Sequence, residues 1–287
     1  MSARETAHTV IAGTDLRACL VSEGMVSRSP NTDRSSWLGH QGYIDALQEQ
    51  AARFSATLRD IAFDSGVPSC PDWTALDLVR HVVQVYAHKA AVLRAGKAVP
   101  GHEVDAAGDA PLPDALERHD AVVADLAGVL AGLNPEDAAW TWMEGAGEST
   151  VGAWARRMAH EALVHRVDAE LTAGTAISPV DVALAIDGVN EVLTWMAGDP
   201  DIVAEDAGAV GSAGSVLLDC GEVAWLVDIG DGRHVVTPAH AGASADARIS
   251  TDPMALDLLL WGRPSAATWP AAGQVDRLRA RIAKALL

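Results

Sequence analysis

The run His160-Glu161-Ala162-Leu163-Val164-His165-Arg166-Val167-Asp168 decides how this chain is read. Trp154, Met158, Ala162 and Ala169 recur at helical intervals, and Glu161 and His165 fall within their stripe. The spacing predicts a helix whose inward face carries a carboxylate and an imidazole where a core is ordinarily apolar. A buried carboxylate costs several kcal/mol unless it is paired, protonated or bound to a metal. The zincin pattern H-E-x-x-H fails here, because position 164 is valine and His160 and His165, five apart, diverge around the helix.

A third ligand candidate lies upstream, in Cys70-Pro71-Asp72-Trp73-Thr74-Ala75-Leu76-Asp77-Leu78-Val79-Arg80-His81. Thr74 reads as an N-cap with Asp77 in the acidic position of a capping box, after a proline-containing loop. The helix it opens has the stripe Leu78, Val82, Val85 and Val92, and His81 sits within that stripe. His81, Glu161 and His165 together make a two-histidine, one-carboxylate set that leaves a divalent ion an open position. On the residues alone, a satisfied core histidine beside an i,i+4 polar pair competes with that reading. Asp168, three residues past His165, faces nearly the same side and could orient its ring, or form a surface salt bridge. His119, flanked by Arg118 and Asp120, is a weaker rival ligand.

These segments, with Trp140 and Trp142 leading into the second, resemble the mycothiol-dependent maleylpyruvate isomerase family within the wider DinB-like helical bundles. The resemblance covers roughly residues 38–200 and continues more weakly from Pro253 to Pro264. It implies a four-helix bundle holding a divalent metal, usually zinc, through a histidine on the second helix and a Glu-x-x-x-His pair on the fourth, which match His81, Glu161 and His165. It also implies mycothiol as the thiol cosubstrate, since Cys19, Cys70 and Cys220 lie in no matching motif. In the family's isomerisation the thiolate adds to a cis double bond, rotation follows, and elimination gives the trans isomer. The same thiolate could end as an S-transferase product. In Leu258-Leu259-Leu260-Trp261-Gly262-Arg263, Arg263 matches an arginine that faces the family's active site, and a guanidinium suits a substrate carboxylate. Helix C-terminal capping is its alternative.

The expected fold class is α+β: an extension over residues 1–36, a DinB-like four-helix bundle over 37–200, and a small α+β domain over 201–287. Ile44, Leu47, Ala51, Phe54, Leu58 and Ile61 mark the first bundle helix. The His81 helix runs to about Ala95, and Leu116, Val123, Leu126 and Leu130 mark the third. A loop over 134–150 carries Trp140, Trp142, Glu144 and a Gly145 to Gly147 turn, with aromatics that either wall a pocket or pack. A fifth helix spans Pro179 to Met196, followed by an acidic linker to about Gly214. Ser215–Asp219, Val223–Ile229 and His234–Thr237 read as antiparallel strands, with another at Ala247–Thr251, then helices near Pro253–Trp261 and Gln274–Leu287.

With 21 basic against 39 acidic residues, the formal charge of -18 disfavours nucleic acid and anionic membranes as partners. Three scattered cysteines form no disulfide framework, and no run approaches a membrane span or signal peptide, so a cytoplasmic location is expected. The expected partner is a small-molecule electrophile, carboxylates included, and the chain is expected as a monomer or homodimer. Two other function classes fit the ligands: a hydrolase using metal-bound water, and a non-enzymatic metal-binding regulatory protein.

Overall fold

The computed structural model describes residues 38–104, 108, 111–142, 149–205, 211–221 and 223–286. The extension over 1–36, Glu144 and the Gly145 to Gly147 turn lie outside them. Helix α1 (Gly39–Leu58) buries Tyr43, Ile44, Leu47, Ala51, Phe54 and Leu58, one face at three- and four-residue steps. A short antiparallel ribbon follows, β1 (Gly66–Val67) with β2 (Cys70–Thr74), where the sequence suggested only a loop. Its side chains show no in-out alternation of burial and it contains Pro71, so the usual strand signal is missing.

Thr74 caps α2 (Ala75–Ala95) as expected: the Asp77 N–H donates to its hydroxyl at 3.2 Å, and the Thr74 N–H donates to the Asp77 carboxylate at 2.9 Å. Gly96 ends the helix with φ of 62°, donating its N–H to Val92. Helices α3 (Leu112–Gly132) and α4 (Val151–Thr172) complete the bundle.

Helix α4 departs from the single inward stripe that its apolar spacing suggests, because it is buried almost all round. Trp154, Met158 and Ala162 join the bundle core, whereas Ala153 and Val164 join a second core on the opposite side. Its charged residues survive burial because each meets a partner. Arg166 donates to Glu170 at 2.6 Å and to Gln50 at 3.0 Å, and Arg156 donates to Asp187 at 2.9 Å.

The second core begins with α5 (Val182–Glu191), which passes into a π-helical turn at Val192–Met196 rather than running on as α-helix. Asp199 then caps a short α6 (Pro200–Ala204) where a linker was expected. Strands β3 (Gly214–Asp219), β4 (Ala224–Gly230), β5 (Arg233–Ala239) and β6 (Ala247–Ser250) form one sheet in the order β5-β4-β3-β6. The first three pair antiparallel as expected, but β6 runs parallel to β3. Alternation of burial is the same for both directions, so sequence pattern could not give this one.

Helix α7 (Pro253–Leu260), capped by Asp252, packs against α5, and α8 (Gly273–Ala285) packs on the sheet, with Leu256, Leu260, Val275, Leu278 and Ile282 joining the second core. The protein is thus α+β, helical first and then a small sheet with helices. Among the described residues, no helix is long and apolar enough to cross a membrane.

Candidate metal centre

Two antiparallel helices, α2 and α4, bring His81, Glu161 and His165 together, with their ligand atoms all within 4.8 Å of one another. Glu161 Oε1 lies 3.2 Å from Nε2 of His165 and 3.5 Å from Nε2 of His81. Ligand bonds of about 2.0–2.2 Å put neighbouring donors on a tetrahedral ion roughly 3–3.5 Å apart, so this spacing fits a divalent cation. The donor set, two imidazoles and one carboxylate, has the same chemistry. His165 is nearly enclosed, but the His81 side chain keeps 35 % of its surface, so the centre opens toward solvent along α2. His81 is therefore less buried than its place in an apolar stripe suggested. Trp73 stacks against it, ring centroids 4.8 Å apart.

His165 and Glu161 are held from behind. Asp168 Oδ2 lies 2.9 Å from Nδ1 of His165, leaving Nε2 to face Glu161 and His81. The same carboxylate accepts Nε and Nη2 of Arg263, at 3.0 and 2.7 Å, and the hydroxyl of Ser69 at 2.5 Å. Burial alone would raise Asp168, but the bonds from His165 and Arg263 hold its carboxyl well below the usual carboxylate range. Burial alone would likewise lower His165, yet Asp168 and Glu161 push it up to about 9. A ring so basic favours either a proton or a cation. Arg157 donates to Glu161 Oε2 at 2.7 Å, which leaves Oε1 to the imidazoles, and Arg157 also pairs with buried Glu191.

Residues 44–170 match the family model described as the mycothiol maleylpyruvate isomerase N-terminal domain. That segment belongs to this domain family. The fold is similar to two solved structures, a mycothiol-dependent maleylpyruvate isomerase (15 % identity) and a point mutant of it (13 % identity), both with a TM-score of 0.56. Each alignment covers 82 % of this chain and 93 % of the other. Among curated proteins none matches.

Within this mycothiol maleylpyruvate isomerase N-terminal domain, His119 stands apart from the ligand cluster, packed between Phe54 and Tyr86 with 1 % exposure. Burial pulls its ring below the ordinary histidine range, as expected for a core residue. Arg263 reaches the site from outside the domain, and its backbone supplies the helix capping that the sequence offered as the alternative role. The Gly262 and Arg263 N–H groups donate to Leu259 and Leu258, closing α7 in a Schellman turn with Gly262 at φ of 69°. That turn aims the guanidinium at Asp168 rather than leaving its whole fork for a substrate.

Sequence reasoning missed Arg157 and Ser69. Arg157 carried a signal, since it lies four residues before Glu161 on the same face. Ser69 carried none, because nothing local ties it to a residue 99 positions away.

Proposed function

We propose that this protein is a cytoplasmic enzyme that binds a divalent ion, zinc by the family resemblance, and uses a mycothiol-type thiol either to isomerise a small electrophile or to form an S-conjugate with it. The observation that carries this reading is the convergence of His81, Glu161 and His165 from two helices around a centre with an open side, in a domain family named for mycothiol. An ion held there would supply Lewis acidity, lowering the pKa of a thiol into the neutral range.

The chain's own residues supply position and charge. Asp168 fixes the His165 ring with Nε2 toward the centre, and Arg263 and Ser69 hold Asp168 in turn. Arg157 anchors one oxygen of Glu161 so that the other stays with the imidazoles. Cys70, just beyond Ser69, does not offer a ready thiolate: burial, then the Asp168 charge, pushes its thiol up, against Arg263. A cosubstrate thiol is the simpler source of the nucleophile. Addition of that thiolate to an activated double bond and its later elimination give an isomer, whereas retention gives an S-conjugate.

Elemental analysis of purified wild type and His165→Ala, followed by titration of the metal-loaded protein with mycothiol, tests this. Near-stoichiometric metal that the variant loses, with saturable thiol binding, supports the proposal, and mass analysis of the product separates isomer from conjugate. Wild type without metal overturns it. Metal without thiol binding also overturns it and favours a hydrolase using metal-bound water.

A further inference from the structure

Helix α2 carries a second polar residue on the line of His81. Successive steps of four give His81, Val85 and Lys89, all partly exposed, whereas Val82, Val83, Tyr86 and Ala90 around them are buried. Helices α2 and α4 meet at two rungs along this line: His81 meets Glu161 and His165 at one, and Lys89 meets Trp154 at the other.

At the second rung the Lys89 ammonium lies 4.7 Å from the centre of the Trp142 ring and 4.9 Å from that of Trp154. The two indoles are themselves in contact, centroids 5.1 Å apart, and make an aromatic corner under the charge. The sole hydrogen-bond partner of Nζ among the described residues is Nδ1 of the neighbouring His88, at 3.1 Å. No carboxylate of the described residues lies within ion-pair distance of it. Exposed lysines need no such partner, but this one is substantially desolvated: burial draws its pKa down to about 8, against the charge of Glu161. It is still mostly charged at neutral pH. A partly buried, charged ammonium with no counter-ion among the described residues, placed on the ligand-bearing face, offers a site for an anion.

We infer that Lys89, over the Trp142 and Trp154 corner, is the carboxylate-binding residue for the substrate, fixing the acid group of a small electrophile while its reactive carbon lies at the His81, Glu161 and His165 rung. The rungs are about 12 Å apart along the helix by residue count. The charge of Glu161 acts on the Lys89 ammonium across that gap. Trp154 is buried beneath, and the half-exposed Trp142 gives the ligand's carbon skeleton an apolar face. Arg263 is spent on Asp168, so the cation that reads the substrate's charge is Lys89. The assignment rests on the function proposed above.

The test uses the zinc-loaded protein and maleate as probe, measured by calorimetry, with metal content determined for every sample. Wild type should bind maleate saturably. Lys89→Met should weaken that binding about tenfold at unchanged zinc content, and Lys89→Arg should keep it within a few-fold. With turnover as readout, Lys89→Met should raise KM for a carboxylate electrophile and leave that for an uncharged maleimide unchanged. Should the methionine variant fold poorly, Lys89→Gln serves in its place. Equal maleate affinity in wild type and the neutral variants overturns the inference, as does wild type that holds zinc but binds no maleate. Absence of zinc from wild type is a different failure, of the metal reading itself.

Discussion

Helix α4 contributes to two histidine, aspartate and arginine sets, one completed by Asp187 of α5 and the other by Arg263 after α7, and only one of them reads as a site. In the first, Asp187 accepts Arg156 Nε at 2.9 Å and the Tyr43 hydroxyl at 2.8 Å, and lies 2.9 Å from Nε2 of His160. In the second, Asp168 holds His165 and Arg263 at nearly the same distances. The chemistry is alike and the surroundings are not. The free nitrogen of His160, Nδ1, is buried without a hydrogen-bond partner among the described residues, while that of His165 looks onto Glu161 and His81. Access of one ring nitrogen, more than residue type, separates a structural cluster from a candidate centre.

That contrast breaks most visibly through Asp187. Removing its charge in Asp187→Asn leaves Arg156 buried without its main counter-ion, and we expect a loss of roughly 3–5 kcal/mol in denaturant unfolding at pH 7. Metal content of the folded fraction should stay at the wild-type value. Metal loss with little change in stability would reverse the assignment of the two clusters.

Asp257 on α7 sharpens the picture of the closed side. Its carboxyl sits against Gly188, where a Cβ would come within 2.6 Å of it, and its Oδ1 has no hydrogen-bond partner. Burial, helped by the charges of Glu191 and Asp187 and opposed by His160, raises it to about 7. A carboxyl whose folded pKa lies above its unfolded value near 3.8 contributes stability that is complete below about pH 4 and lost as pH rises through about 7. The difference amounts to roughly 4 kcal/mol at most. Thermal unfolding of Asp257→Asn should therefore gain on wild type from pH 5 to pH 8, and a constant gap across that range would count against the buried neutral acid.

The smallest expected effect is on the open side. Asp168→Asn keeps the shape but weakens the acceptor that orients His165, and metal affinity should fall about 10- to 100-fold in competition with a chelator. Unchanged affinity would mean that the histidine needs no such support.

Much of this could be read in the chain itself. The Thr74 and Asp77 capping box placed the start of α2 at the right residue, because a cap is a local device whose parts lie three apart. His81, Glu161 and His165 were legible for the same reason, as positions within two helical repeats. What escaped depends on distant segments. The apolar stripe of α4 gave no hint that its other faces were also covered, since ion pairs with α5 hide there as ordinary charged residues. The parallel placement of β6 and the ribbon at Cys70–Thr74 carry no periodic signal of their own. Lys89 carries no local signal either, because the Trp142 ring beneath its ammonium comes from a loop more than fifty positions away.

His81 and Glu161 are eighty residues apart in sequence. An ion shared between them would close a long loop that contains the whole of α3 and the segments on either side. The entropy of closing such a loop grows only with the logarithm of its length, about 0.6 kcal/mol for each doubling. Insertions and deletions in the stretch that carries Trp140 and Trp142 thus cost the ligand set almost nothing. Helices α2 and α4, with their candidate ligands, can stay fixed over evolutionary time while the loop that carries Trp140 and Trp142 is rewritten.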